Sequence, residues 1–262
     1  MHPALWISKT GLDAQQTDIS VISNNVANAS TIGYKKSRAV FEDLLYQTVN
    51  QAGGVSADNT KLPNGLNLGA GTKVVATQKM FTQGNMLTTD NALDLMIEGP
   101  GFFEVEMPDG TAAYTRNGQF SLDENGQIVT PGSGYVIQPA ITIPDEATSI
   151  TVSSEGEVSV KLSGATENTV IGQLAMSDFI NPSGLDPLGQ NLFTETGASG
   201  TPIQGTASLD GLGAIRQGAL ETSNVNVTEE LVNLIQSQRN YEMNSKVISA
   251  VDQMMSYVTQ NL

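Results

Sequence analysis

Apolar residues fall seven apart at both ends of this chain and two apart through its middle. Near the start, Leu5, Leu12, Ile19 and Val26 form one seven-residue series, with Ile22 and Ala29 three residues after two of them. That spacing is the a/d signature of a coiled-coil helix over about three and a half heptads. At the other end, Val227, Leu234, Tyr241, Ile248, Met255 and Leu262 continue unbroken, and no Pro or Gly interrupts residues 225–262. Thr228 is a candidate N-cap, with Glu229 and Glu230 favourably placed in the first turn. The second track of this helix, Leu231, Gln238, Ser245 and Asp252, turns polar after one turn. A seam that narrow needs neighbours, and the two terminal helices can pack on each other and on further copies.

The middle alternates with the period of a strand. Phe103, Val105 and Met107 interleave with Phe102, Glu104 and Glu106, as in a half-buried strand. Asp109-Gly110, Asn117-Gly118 and Asn125-Gly126 then punctuate a β-meander, each dipeptide suited to positive φ. Shorter alternating runs follow at 136–143, 149–153, 157–162 and 170–176. Residues 50–71 have loop composition and predict an extended loop or long hairpin, with a turn at Pro63 before Asn64-Gly65. The expected class is α+β: N- and C-terminal coiled-coil helices packed together, with an inserted all-β domain. The expected divisions are a helix in 1–31, a connecting segment in 32–72, the β domain in 73–222 and a helix in 223–262.

Charge sharpens this division. Of a net −15, the whole excess lies in residues 90–223, with 18 acidic and 3 basic residues. An acidic body argues against nucleic acid or an anionic membrane as partner. The absence of Cys removes disulfides and thiolate zinc sites from consideration. No apolar run of about 18 residues suits a membrane span, and the first residues lack the pattern of a cleavable signal peptide. Chemistry is sparse: His2 is the sole histidine, and Asp123-Glu124-Asn125-Gly126 has the wrong glycine position for a calcium loop. The bend at Gly99–Phe102 is no dinucleotide fingerprint. No catalytic residue, cofactor site or metal site is expected. Lys35, Lys36 and Arg38 suggest either a small anion patch or a solvated turn after the first helix.

Three stretches, in order, carry a resemblance. In "SNNVANASTIGYKKSRAVFEDLL", Asn24, Asn25, Ala27 and Asn28, then Thr31, Gly33, Tyr34 and Lys35, match the N-terminal signature of the flagellar rod and hook proteins. "GPGFFEVEMPDGTAAYTRNGQF" resembles that family's Gly-x-Gly-Phe-Phe strand and its Tyr-Thr-Arg-x-Gly hairpin. Residues 221–254 resemble its C-terminal helix. The resemblance implies a non-enzymatic axial subunit of rod length rather than hook length. It also implies a helical homo-oligomeric tube that joins other rod proteins and the hook protein and turns inside envelope ring proteins. The seam named above would be its assembly surface. Outside the family, an acidic hydrolase would need a pocket with paired carboxylates, and a secreted adhesin with a coiled-coil stalk would need a signal peptide.

Overall fold

The structure is a computed structural model, and it describes residues 3–51, 55–57, 60–61, 64–164, 167–209 and 211–260. His2, Pro63 and Leu262 lie outside the described residues. The chain forms two compact units: residues 1–27, 37–78 and 226–262 make one, residues 28–36 and 79–225 the other. The class is α+β, with the N- and C-terminal helices packed together and the β-rich part inserted between them in sequence.

In the first unit, helix α1 spans Pro3–Ala27 and helix α2 spans Val227–Gln260. The cap of α2 is Asn226 rather than Thr228. Its Oδ1 accepts from the N–H of Thr228 at 3.2 Å, so the amide lies one residue outside the helix, where it reaches an otherwise orphaned donor. The helices run antiparallel in a fixed register. Asn25 meets Glu230, Asp18 meets Ser237, and Gly11 meets Asn244, so each step of seven along α1 is matched by seven back along α2. A Cβ on Gly11 would come within 2.9 Å of the Asn244 amide, so a larger residue there would push that side chain aside.

Between the helices in sequence, the described residues of 37–79 pair as nested two-stranded ladders. Strand β1 (Ser37–Asp43) pairs with β6 (Thr72–Lys79), β2 (Tyr46–Asn50) with β5 (Leu66–Gly69), and β3 (Val55–Ala57) with β4 (Thr60–Lys61). Every residue of β2 is exposed, including Tyr46 and Val49, and so are Leu66 and Leu68 of β5. An isolated two-stranded ladder with no covered face is marginal in water.

The second unit is built around β9 (Phe102–Glu106), following β7 (Met86–Thr88) and β8 (Leu95–Glu98). One edge of β9 pairs with β10 (Ala112–Thr115); the other is shared between Ala175–Asp178 and Val136–Ile137. The tight turns at 107–111 and 123–127 form, but the meander does not continue: the free edge of β10 is taken by Leu192–Thr194, from 80 residues further on. Nor do the turn glycines share one reason. Gly110 and Gly126 have φ of 78° and 73°, while Gly118 is required because a Cβ there would lie 1.5 Å from the Leu95 carbonyl oxygen. Phe103 packs into the main core with Leu95, Ile97, Phe120, Ile137 and Met176, its ring edge-on to Phe120 at 5.2 Å. Phe102, expected to alternate outward, is also buried. It joins Tyr114, Phe179, Phe193 and Phe81 in an edge-to-face aromatic cluster on the opposite side of the strand.

Candidate assembly surfaces

On α1, Leu5, Leu12, Ile19 and Val26 are half-buried, and the fully buried positions are Ser8, Ala14, Ile22 and Asn25. On α2, Leu234 and Ile248 are half-buried, whereas Val227, Tyr241 and Met255 are exposed. The buried track of α2 is Glu230, Ser237 and Val251, with Asn244 half-buried between the last two. So the contact between the helices is partly polar. Ser237 donates to an Asp18 carboxylate oxygen at 2.5 Å, and Asn25 Nδ2 lies 3.3 Å from Glu230 Oε2.

A separate stripe of α2 is apolar and uncovered. Val232, Met243, Val247, Met254 and Val258 are between 45% and 61% exposed. At 100° per residue they centre roughly a quarter of a turn away from the track that meets α1. In the antiparallel register, Val251 lies opposite the first described turn of α1. Met254, Met255, Tyr257 and Val258 therefore run past the described end of that helix. Trp6 and Ile7 are exposed on α1.

The signature motif divides between the two units. Asn24 and Ala27 are exposed on the last turns of α1, while Asn25 is buried. The Asn25 amide donates to the Ser37 carbonyl at 2.8 Å and accepts from the Ser37 N–H at 2.9 Å, a pairing that only a side chain with both functions can make. The remaining motif residues belong to the β unit. Asn28 and Thr31 are half-buried in the turn that leaves α1, and Gly33, Tyr34 and Lys35 are buried. Gly33 has φ of 70°, and a Cβ there would lie 2.7 Å from the Asn117 nitrogen. Its N–H donates to the Glu221 carbonyl at 2.8 Å, and Asn191 Nδ2 donates to the Ile32 carbonyl at 2.8 Å.

Lys35 is neither part of a solvated turn nor an anion patch. It is 1% exposed, and its ammonium donates to Glu221 Oε1 at 2.6 Å and to the Thr82 carbonyl at 2.9 Å. Glu221, equally buried, also accepts from the Gly84 N–H at 2.8 Å. Arg116 completes the cluster: its guanidinium donates to the Gly99 carbonyl, sits over the Phe102 ring and stands 3.7 Å from Glu221 Oε2. Burial pushes the Lys35 ammonium below its ordinary pKa, and the Arg116 charge adds to that, while Glu221 opposes both. Lys36 is half-buried, with its N–H donating to Asn224 Oδ1, and Arg38 is exposed beside Gln78. No local pattern reveals that Lys35 pairs with Glu221, which lies 186 residues away.

This division, with α1 and α2 packed on each other and a strand of Gly-Phe-Phe at the heart of the β unit, coincides with three family models. Residues 6–35 match the flagella basal body rod protein model, residues 96–160 the flagellar hook protein FlgE/F/G D1 domain, and residues 216–261 the flagellar basal body rod FlgEFG protein C-terminal model. The chain belongs to the flagellar rod and hook protein family and is a structural rod subunit. It is 56% identical to the flagellar basal-body rod protein FlgG of Buchnera aphidicola subsp. Schizaphis graminum, over 99% of this chain and 100% of the relative. It is 48% identical to FlgG of Borreliella burgdorferi, over 100% and 99% of the two chains. The flagellar hook-basal body complex protein FlhP of Bacillus subtilis is more distant, at 30% over 98% of each. Among the described residues, no helix is long and apolar enough to cross a membrane.

Proposed function

We propose that this subunit builds the distal rod, the drive shaft of the flagellar basal body, as a hollow helical tube with the terminal helices lining the channel and the β unit facing outward. A contact that joins different surfaces on successive copies, and does not close into a ring, generates such a filament. The observation that carries this reading is the uncovered apolar stripe of α2. Among the described residues, five large apolar side chains on one face of a 34-residue helix stay about half exposed, at 45–61%. Covering what remains exposed of each contributes about 1 kcal/mol, roughly half the value for a fully exposed side chain, so a stripe repeated along a tube is a large driving force. The exposed hairpin pair β2 and β5, with Leu45, Tyr46, Leu66 and Leu68, gives a second surface that stiffens the tube against a neighbouring copy.

In this reading the tube stands between the proximal rod proteins and the hook protein, crosses the periplasm and turns within envelope ring proteins. Asp109, Asp123, Glu124, Asp145, Glu146 and Glu155 are exposed on the β unit. A hydrated, like-charged surface resists sticking to a stationary ring, because stripping water from unpaired carboxylates is costly. Exposed Asn233, Gln236, Ser249 and Gln253 on α2 are polar and uncharged, which suits a channel that passes unfolded export substrates of either sign. The subunit itself travels by that same export route. The test is Val247→Asp, a change at an exposed position. Assembly monitored by electron microscopy should be lost while the subunit's thermal melt is unchanged. Filaments of normal length from this variant would refute the stripe as the assembly surface.

A further inference from the structure

The same dipeptide, Asn-Gly, occurs three times in this chain, in three different surroundings. Asn117-Gly118 is held on both residues: Gln119 N–H donates to Asn117 Oδ1 at 3.1 Å, Leu95 N–H donates to the Gly118 carbonyl at 2.9 Å, and Gly118 is buried. Asn125-Gly126 is held as firmly. Asn125 Nδ2 donates to Asp123 Oδ2, the Gly126 N–H donates to the Asp123 carbonyl at 2.9 Å, and Ile143 N–H donates to the Gly126 carbonyl. Asn64-Gly65 differs in its hydrogen bonding and in its glycine, which is not buried as Gly118 and Gly126 are. Asn64 is exposed in a bend, both residues precede the first paired position of β5, and among the described residues no hydrogen bond holds the Asn64 amide or the Gly65 N–H.

We propose that Asn64 is a site of spontaneous deamidation through a succinimide, and that Asn117 and Asn125 are protected in the folded subunit. The reaction needs the following amide nitrogen to reach the side-chain carbonyl carbon, and glycine offers the least obstruction to that approach. A base takes the Gly65 N–H proton, and the nitrogen bonds to Asn64 Cγ. The Cγ–Nδ2 bond breaks and, with the proton returned, ammonia leaves. Water then opens the ring. Attack at Cγ gives aspartate, whereas attack at the main-chain carbonyl carbon gives isoaspartate, with the chain rerouted through the side chain. The sum is one amide plus water giving one carboxylate and ammonium. At Asn117 and Asn125 the hydrogen bonds and the burial of Gly118 and Gly126 oppose that approach, so reaction there must wait for local opening. Isoaspartate would add one carbon to the main chain, and a carboxylate, two residues before Leu66, the residue that pairs with Asn50.

The test uses the full chain held at mildly alkaline pH, then digested and followed by mass spectrometry and by labelling with an isoaspartyl methyltransferase. The expected result is a gain of about 1 Da at Asn64 with isoaspartate as a product. The rate there should exceed that at Asn117 or Asn125 by at least about tenfold in the folded protein, with the gap closing in denaturant. Gly65→Ala should slow the reaction at Asn64 and leave the other two positions unchanged. Equal rates at all three sites in the folded protein would overturn the proposal. So would a product containing aspartate alone, since direct hydrolysis would then have bypassed the succinimide.

Discussion

In the β unit, β9 buries Phe102 and Phe103 on opposite faces, and each ring touches another ring edge-on. In the helical unit, α2 is nearly seven times as long, yet its fully buried residues are Glu230, Ser237 and Val251. One region uses its apolar side chains within the subunit; the other leaves Met243, Val247 and Met254 in water. Hydrophobicity along the chain is therefore a poor guide to what stabilises the subunit. The same residue type is core in one unit and unpaired surface in the other, and the difference lies in whether the partner surface belongs to the same copy.

Large-to-small substitutions test that contrast most directly. Phe103→Ala should destabilise the β unit by about 3–5 kcal/mol in denaturant unfolding, because the sheet around a fully buried ring cannot collapse onto the space. Lys35→Met should cost on the order of 3 kcal/mol in the same assay, since it leaves the buried Glu221 carboxylate without its ammonium partner; adding Glu221→Leu should recover much of the loss. A smaller effect is expected at Tyr114, whose hydroxyl is pushed up to about 12 by burial, then by Glu104 and Glu195. Folding favours its neutral form, so that contribution is complete below 10.0 and is lost as the pH rises from there to about 12. Subtracting the Tyr114→Phe profile from the parent profile should isolate this limb. The smallest change is Met254→Ala, within about 0.5 kcal/mol for the isolated subunit. A loss comparable to that at Phe103 would show that the α2 stripe is already covered in the free subunit.

The sequence was most legible where a pattern is local. Both helices follow from seven-residue spacing, and the turns at Asp109-Gly110 and Asn125-Gly126 follow from dipeptides that accept positive φ. Long-range pairing was not legible: nothing around Ala112–Thr115 announces Leu192–Thr194, and nothing around Lys35 announces Glu221. A lysine between Tyr34 and Lys36 reads as surface until its partner is known. The heptads located an apolar series but not the face that meets α1. That face is set by Asp18 with Ser237 and Asn25 with Glu230, polar pairs that an apolar count passes over. For Asn24, Asn25, Gly33 and Lys35 the family signature marked positions without reasons. The structure supplies a different one for three of them: an amide that mimics a strand partner at Asn25, a positive φ and a close backbone at Gly33, and a buried cation at Lys35.

The passage of residues 28–36 through the β unit has a practical side for anyone dividing the protein into pieces. A fragment cut from Lys79 to Val225 looks like a self-contained domain on a linear map, but it lacks nine residues of its own interior. Glu221 would lose its ammonium, its main-chain carbonyl would lose the Gly33 N–H, and Asn191 and Asn224 would each lose a backbone partner. Supplying the missing stretch as a separate synthetic peptide spanning Asn28–Lys36, or grafting it through a new linker, would refill the slot. The β unit is thus a split protein in its natural state, its two stretches held by these bonds and joined on one chain by the intervening hairpin.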